Sequence, residues 1–160
     1  MWYTHRIMLW DDAVPKSGWK PESVVDMGRN SVNHCHWCGT RIRYIHTISH
    51  EAYPTSTECG CICAEKLTGD PTHRKLENEL RSRSSKKTNF AKSRKWRIGL
   101  SGNLFITKDR VTVKIQEVGD LYKIEVLKGV HRIPGRKTYG TVKEAKEAAF
   151  DAIEWSKFRL

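Results

Sequence analysis

A chain of 160 residues that is 38% hydrophobic and 29% charged, with a formal net charge of +11, has material for one modest core or two small ones. No apolar stretch is long enough to cross a bilayer, and Met1-Trp2-Tyr3-Thr4-His5-Arg6 lacks the apolar run of a secretory leader, so a cytoplasmic protein without a membrane partner is expected. The sequence shows no internal repeat, phosphate loop or dinucleotide fingerprint, and so no evident small-molecule substrate.

Residues 1–33 contain Trp2, Trp10 and Trp19 among scattered aliphatics, and Pro15, Gly18 and Pro21 break any long element. These tryptophans are expected either to pack on the segment that follows or to present a surface to a protein partner. That segment holds all five cysteines, between Cys35 and Cys63. Cys35-His36-Trp37-Cys38-Gly39 offers two thiolates from one tight turn, and Cys59-Gly60-Cys61-Ile62-Cys63 supplies more, the donor pattern of a tetrahedral zinc ion. In a reducing cytosol, metal is favoured over disulfides. Cys35 and Cys38 form the first ligand pair. For the second, Cys63 opens a run of helix formers, Ala64-Glu65-Lys66-Leu67, where the helix dipole favours a thiolate, and Gly60 lets the backbone turn ahead of Cys61. The chosen set is Cys35, Cys38, Cys61 and Cys63, with Cys59 as the spare thiol and His46 as the strongest replacement.

Four thiolates would fill the shell of a Zn2+ ion and leave no site for water, which makes the metal structural and the protein a non-enzyme. Zinc deaminase and zinc protease signatures are absent. His46 and His50, four apart beside Glu51, leave a metal-dependent nuclease as an alternative, although the alternation around Ile42, Tyr44 and Ile48 reads as a strand.

Between the cysteines and the C-terminal segment, residues 71–99 carry ten bases against two acids. Asp70-Pro71 is a cap and first-turn proline for a helix, and Leu76 and Leu80 make a thin apolar stripe. Arg81, Arg83, Lys86, Lys87, Lys92, Arg94, Lys95 and Arg97 follow, with Phe90 and Trp96 as the only large anchors. Such a run repels itself and is stabilised by a polyanion. It lacks the wide apolar face of a membrane-surface helix.

From residue 98 the period changes to two. Asn103-Leu104-Phe105-Ile106, then Val111, Val113 and Ile115, then Tyr122, Ile124 and Val126 predict about three antiparallel strands. Thr141-Val142-Lys143-Glu144 is a capping box that starts a helix with an apolar face of Val142, Ala145, Ala149, Ala152 and Ile153. The opposite sheet face would display Arg110, Thr112, Lys114 and Gln116 beside Lys123 and Glu125, with Arg136 and Lys137 nearby. Such a face has the shape to enter a DNA groove.

Tyr122-Lys123-Ile124-Glu125-Val126, Lys137-Thr138-Tyr139-Gly140-Thr141 and Glu144-Ala145-Lys146-Glu147-Ala148-Ala149 resemble the ethylene-response-factor type of DNA-binding domain and the arm-type domain of phage integrases. That resemblance implies a three-stranded sheet that packs on one helix and docks in the major groove. Tyr122 stands where that family often has tryptophan, and no base-contacting residue is carried over. The wider pattern is Cys35 to Gly39, Ile42-Arg43-Tyr44-Ile45-His46, Gly60-Cys61-Ile62-Cys63-Ala64-Glu65 and Thr68-Gly69-Asp70, continued by a basic segment, Gly102-Asn103 and Ala148-Ala149-Phe150-Asp151-Ala152. It is similar to a group of uncharacterised bacterial and phage zinc-finger-like proteins. This likeness favours Cys61 and Cys63 over Cys59 and implies a bacterial cytosol or a phage-infected cell, but no activity.

The expectation is therefore an α+β protein. A zinc module, treble-clef or ribbon-like, occupies 1–70, a basic helical connector 71–97, and a three-stranded sheet with one C-terminal helix 98–160. The expected function is nucleic-acid binding, with duplex DNA favoured over RNA. A protein-binding inhibitor or adaptor acting on a host nucleic-acid enzyme is the alternative.

Overall fold

The structure, a computed structural model, describes residues 12–159; Trp2 and Trp10 lie outside them. It is α+β, with two antiparallel sheets and three helices among the described residues. The chain divides into two compact units, Met1–Ser82 and Arg83–Leu160.

The first unit is built on a three-stranded sheet, β1 (Lys20–Asp26), β2 (Tyr44–His50) and β3 (Tyr53–Cys59), with β2 in the centre. Its central strand is the most buried, as a strand paired on both edges should be: Tyr44, Ile45, His46 and Ile48 are all inside. Pro21 sits at a register irregularity on the edge strand β1, where its missing N–H is tolerated. A bidentate pair between Arg43 and Asp26, at 2.7 Å for both contacts, ties β2 to β1. Helix α1 (Cys61–Thr68) follows β3 directly and buries Cys63, Ala64 and Leu67. Trp19 is 2% exposed and packs in the same core as Cys35, Ile48, Cys63 and Leu67, so this tryptophan belongs to the interior and not to a contact surface.

Helix α2 (Thr72–Ala91) begins where Asp70 Oδ1 accepts the Thr72 N–H at 2.9 Å. It starts in the first unit and ends in the second. Trp96 then donates its indole N–H to the Phe90 carbonyl at 3.1 Å and stacks edge-on against that ring, fixing the exit from the helix.

The second unit carries five strands in meander order, not three: β4 (Arg97–Ile98), β5 (Leu104–Lys108), β6 (Val111–Val118), β7 (Leu121–Lys128) and β8 (His131–Tyr139). Val111, Val113, Ile115, Ile124 and Val126 face helix α3 (Val142–Arg159), whose Ala145, Ala149, Phe150 and Ile153 complete the core. The opposite face is open and reads Arg97, Phe105, Lys114, Glu125 and Pro134 along one cross-strand row. Arg110 is not on that face. Asp109 and Arg110 both have positive φ, 53° and 62°, and form the two-residue turn from β5 to β6, a turn whose twist matches the strands only in that conformation.

Strand β8, outside the three strands expected from the alternation, contains Pro134 and Gly135, residues uncommon in strands. It is an edge strand, where a proline is tolerated, and the register shifts opposite Lys123–Glu125. There Gly135 approaches β7 so closely that a Cβ would lie 2.8 Å from the Ile124 carbonyl oxygen and 2.9 Å from Ile124 Cγ1. Gly135→Ala is therefore expected to cost about 1–3 kcal/mol through overpacking. Chemical denaturation of the variant tests this, and an unchanged midpoint would show that β8 does not make this approach.

Candidate metal centre

Residues Cys35 to Cys38 form a knuckle. The Gly39 N–H returns to the Cys35 carbonyl and the Cys35 N–H to the Thr40 carbonyl, both at 2.8 Å, and Gly39 supplies the positive φ of 74° that closes the turn. The His36 N–H donates to the Glu58 carbonyl at 2.9 Å and anchors the knuckle on β3. From the other side, Gly60 at the helix N-cap position starts α1, and Cys63 falls in its first turn. The result brings the sulfurs of Cys35, Cys38 and Cys63 within 4.8 Å of one another. Tetrahedral zinc–thiolate geometry, with bonds of about 2.3 Å, needs sulfurs about 3.8 Å apart. The group is close enough to hold a metal ion.

The local electrostatics already favour a thiolate here. Cys35 is lowered to about 5, first by the hydrogen bond from Cys63 and then, against the cost of burial, by backbone N–H groups at Cys38, Gly60 and Trp37. Cys63 is pushed up in turn, because it holds the proton shared with Cys35. Cys59 is pushed up to about 12 by burial, and its thiol points at the His46 carbonyl at 3.6 Å, away from the group. The cluster thus contains three of the four cysteines expected as ligands. Cys61 stands outside it: its thiol is raised by burial and by a hydrogen bond to the Glu77 carboxylate. Cys61 and Glu77 nevertheless share with the three clustered cysteines a cavity of about 430 Å³ that is also lined by Arg41, Arg43 and Arg81.

His46 is not near the sulfur group as a ligand but is fully buried in a polar chain. Thr68 Oγ1 donates to the Ala64 carbonyl at 2.8 Å, so it accepts from the Asp70 N–H at 3.1 Å and from His73 Nε2–H at 3.2 Å. That fixes the His73 tautomer and leaves its Nδ1 to accept from His46 Nδ1–H at 2.9 Å. His46 Nε2 then meets Glu77 Oε2 at 3.3 Å, and one proton between those atoms completes the chain. Burial opposes ionisation of Glu77, but hydrogen bonds from Arg81, Cys61 and His46 outweigh it and lower its pKa. His50 lies four residues along the same strand, about 13 Å from His46. It packs instead against the Trp19 ring, with centroids 5.4 Å apart, so the two imidazoles do not converge on one ion.

Of the thirteen bases expected to meet nucleic acid, three are engaged within the protein. Arg81 pairs with Glu77 at 2.7 Å, Arg83 with Asp151 at 2.6 Å and Glu154 at 3.0 Å, and Lys87 with Asp151 at 2.6 Å. The other ten, Lys86, Lys92, Arg94, Lys95, Arg97, Arg110, Lys114, Lys123, Arg136 and Lys137, make no salt bridge among the described residues, although Lys114 lies opposite Glu125 and helps to lower its pKa. No helix among the described residues is long and apolar enough to cross a membrane. Comparison of the chain with protein-family models, curated proteins and solved structures returned no match.

Burial, and then the nearby His46, lower the pKa of His73 below its ordinary 6.5. The unfolded chain therefore takes up a proton first as the pH falls below 6.5, while the folded chain does not. His73 contributes stability above 6.5 and loses it as the pH falls toward the depressed value. Denaturation midpoints measured from pH 7.5 down to pH 5 should drop less steeply for His73→Gln than for the wild type; equal slopes would remove His73 as the cause.

Proposed function

We propose that this is a zinc-stabilised nucleic-acid-binding protein, a regulatory or accessory factor of bacterial or phage type, that holds duplex DNA through bases of its connector and C-terminal sheet. The carrying observation is the sorting of the bases: the acids of α3 take Arg83 and Lys87, Glu77 takes Arg81, and the other ten candidates make no salt bridge among the described residues. Cations with no internal partner are the ones free to displace counterions from a phosphate backbone. Arg97, Lys114 and Lys123 lie on the sheet face that α3 leaves open, beside the polar row that would enter a groove.

Zinc is the ion that suits the sulfur group, because thiolates select it over hard cations. The order knuckle, β-hairpin and helix carrying the next cysteines supports a treble-clef module over a ribbon. Cys35, Cys38 and Cys63 would hold the ion, and Cys61, two residues before Cys63, would supply the fourth sulfur by turning from Glu77. The ion would act structurally, closing one shell around two parts of the chain.

Metal analysis of protein purified under reducing conditions should find one zinc per chain, lost in Cys35→Ser and Cys63→Ser and retained in Cys59→Ser. Chelation should unfold the first unit. A folded, metal-free wild type indifferent to chelator overturns the zinc assignment.

DNA binding is tested separately. If about seven of the unpaired bases each meet a phosphate, log affinity falls with log salt at a slope near −6. A flat salt dependence with duplex DNA defeats the nucleic-acid reading, and a steeper response with RNA redirects it.

A further inference from the structure

Where the C-terminal end of α2 lies beside the start of α3, the second unit has a cavity of about 350 Å³ lined by Thr88, Ala91, Lys92, Val142, Lys143 and Lys146. We propose that this cleft is a phosphodiester-binding subsite for the backbone of duplex DNA, a proposal that rests on the nucleic-acid reading above and gives it a location.

Three lysines and no acidic residue line the cleft, largely through their aliphatic stems. None of the three lysines has an ion pair among the described residues, whereas Lys87, on the same helix, is neutralised by Asp151. The one acid in the first turn of α3 is turned away from this role: Glu144 Oε2 accepts the Gly140 N–H at 3.1 Å, and the Glu144 N–H is held by Thr141 Oγ1 at 3.2 Å. Lys146 is half-buried, and its ammonium stands 5.2 Å from the centroid of the Trp96 ring, itself fixed by the Phe90 carbonyl. Three like charges around one small volume repel each other, and an anion reverses the sign of that interaction. Thr88 adds a neutral hydroxyl donor. The lining lies on or directly at the ends of two helices, so the cations are presented from rigid elements and not from a loop. Just beyond Lys92 the chain adds Arg94 and Lys95, so the cationic row continues past the cleft, as fits a polyanion better than an isolated phosphate.

The test uses the full chain and a duplex DNA probe across a salt series. The double variant K143Q/K146Q is compared with an equal-charge control, R29Q/K66Q, which removes two exposed bases of the first unit outside the connector, and K92Q provides a single-charge check. Thermal melts first confirm that all variants fold. The cleft predicts a loss of about tenfold or more for K143Q/K146Q and a salt slope shallower by about one to two units, with K92Q following in the same direction and the control close to wild type. Equal losses in the double variant and the control would mean that net charge alone matters and would overturn the cleft while DNA binding stood. A wild type that shows no salt-dependent binding to duplex DNA would instead sink the parent reading. Binding to phosphatidylserine vesicles with no binding to the duplex would overturn the proposal in favour of a lipid headgroup.

Discussion

Three cysteine sulfurs within 4.8 Å, set against a small apolar core, form the constraint around which the first unit is arranged. Two unit charges at about 4 Å repel by about 4 kcal/mol at the effective dielectric of a protein surface. Within the group the negative charge is favoured at Cys35, by the hydrogen bond from Cys63 and then by the backbone N–H groups aimed at it. A dication would invert this balance and turn mutual repulsion into shared attraction. Knuckle, hairpin and the sharp start of α1 at Gly60 each have a role in that convergence. The β2–β3 hairpin spans most of the sequence gap between Cys38 and Cys63, and Gly60 leaves Ile42 Cγ2 only 3.1 Å from where a Cβ would stand.

The chain Glu77–His46–His73–Thr68 solves a related problem by different means. It buries two imidazoles at 0% and 1% exposure, which is tolerable only if each ring nitrogen has a partner. The directional sequence of donors, read back from the Ala64 carbonyl, gives every nitrogen one. It also joins three elements: the central strand supplies His46, the end of α1 supplies Thr68, and the start of α2 supplies His73 and Glu77. Because Glu77 also accepts from the Cys61 thiol, the first turns of α2 and the sulfur-bearing turn share one carboxylate. Movement of Cys61 toward the sulfur group would be felt at Glu77 before it was felt elsewhere.

Much of this was legible in the chain. The Cys-x-x-Cys-Gly turn, the helix after Gly60, the strands around Val113 and Ile124, and the capping box at Thr141 all announce themselves through local spacing. What escaped depends on distance or on exceptions. Strand β8 carries a proline and a close-approach glycine, residues that argue against a strand unless its edge position is known. Arg110 alternates correctly with its neighbours, yet the two-residue turn claims it, because Asp109-Arg110 lacks the asparagine and glycine that usually mark such a turn. His46 offered itself as a metal ligand by type, and only the fold reveals His73, 27 residues later, as its partner. The fourth sulfur position is the opposite case: sequence spacing favoured Cys61, and the geometry gives that thiol a competing bond to Glu77.

Charge placement shows why a basic composition alone says little about a binding face. Arg83 and Lys87 belong to the same run as Lys86 and Lys92 and are indistinguishable from them by type. Asp151 and Glu154 on α3 single out the first two, at 2.6–3.0 Å. Exposed pairs of this kind contribute little stability, about 0–1 kcal/mol each. Their larger effect is to orient: they fix one side of α2 against α3, and the bases on other sides of the helix keep their full charge toward solvent. A helix with its bases spread evenly around it would present the same formal charge with no preferred face. Here the acids of α3 remove charge from one side only, so the surplus has a direction, and a direction is what a surface needs if it is to dock a rigid polyanion and not merely attract one.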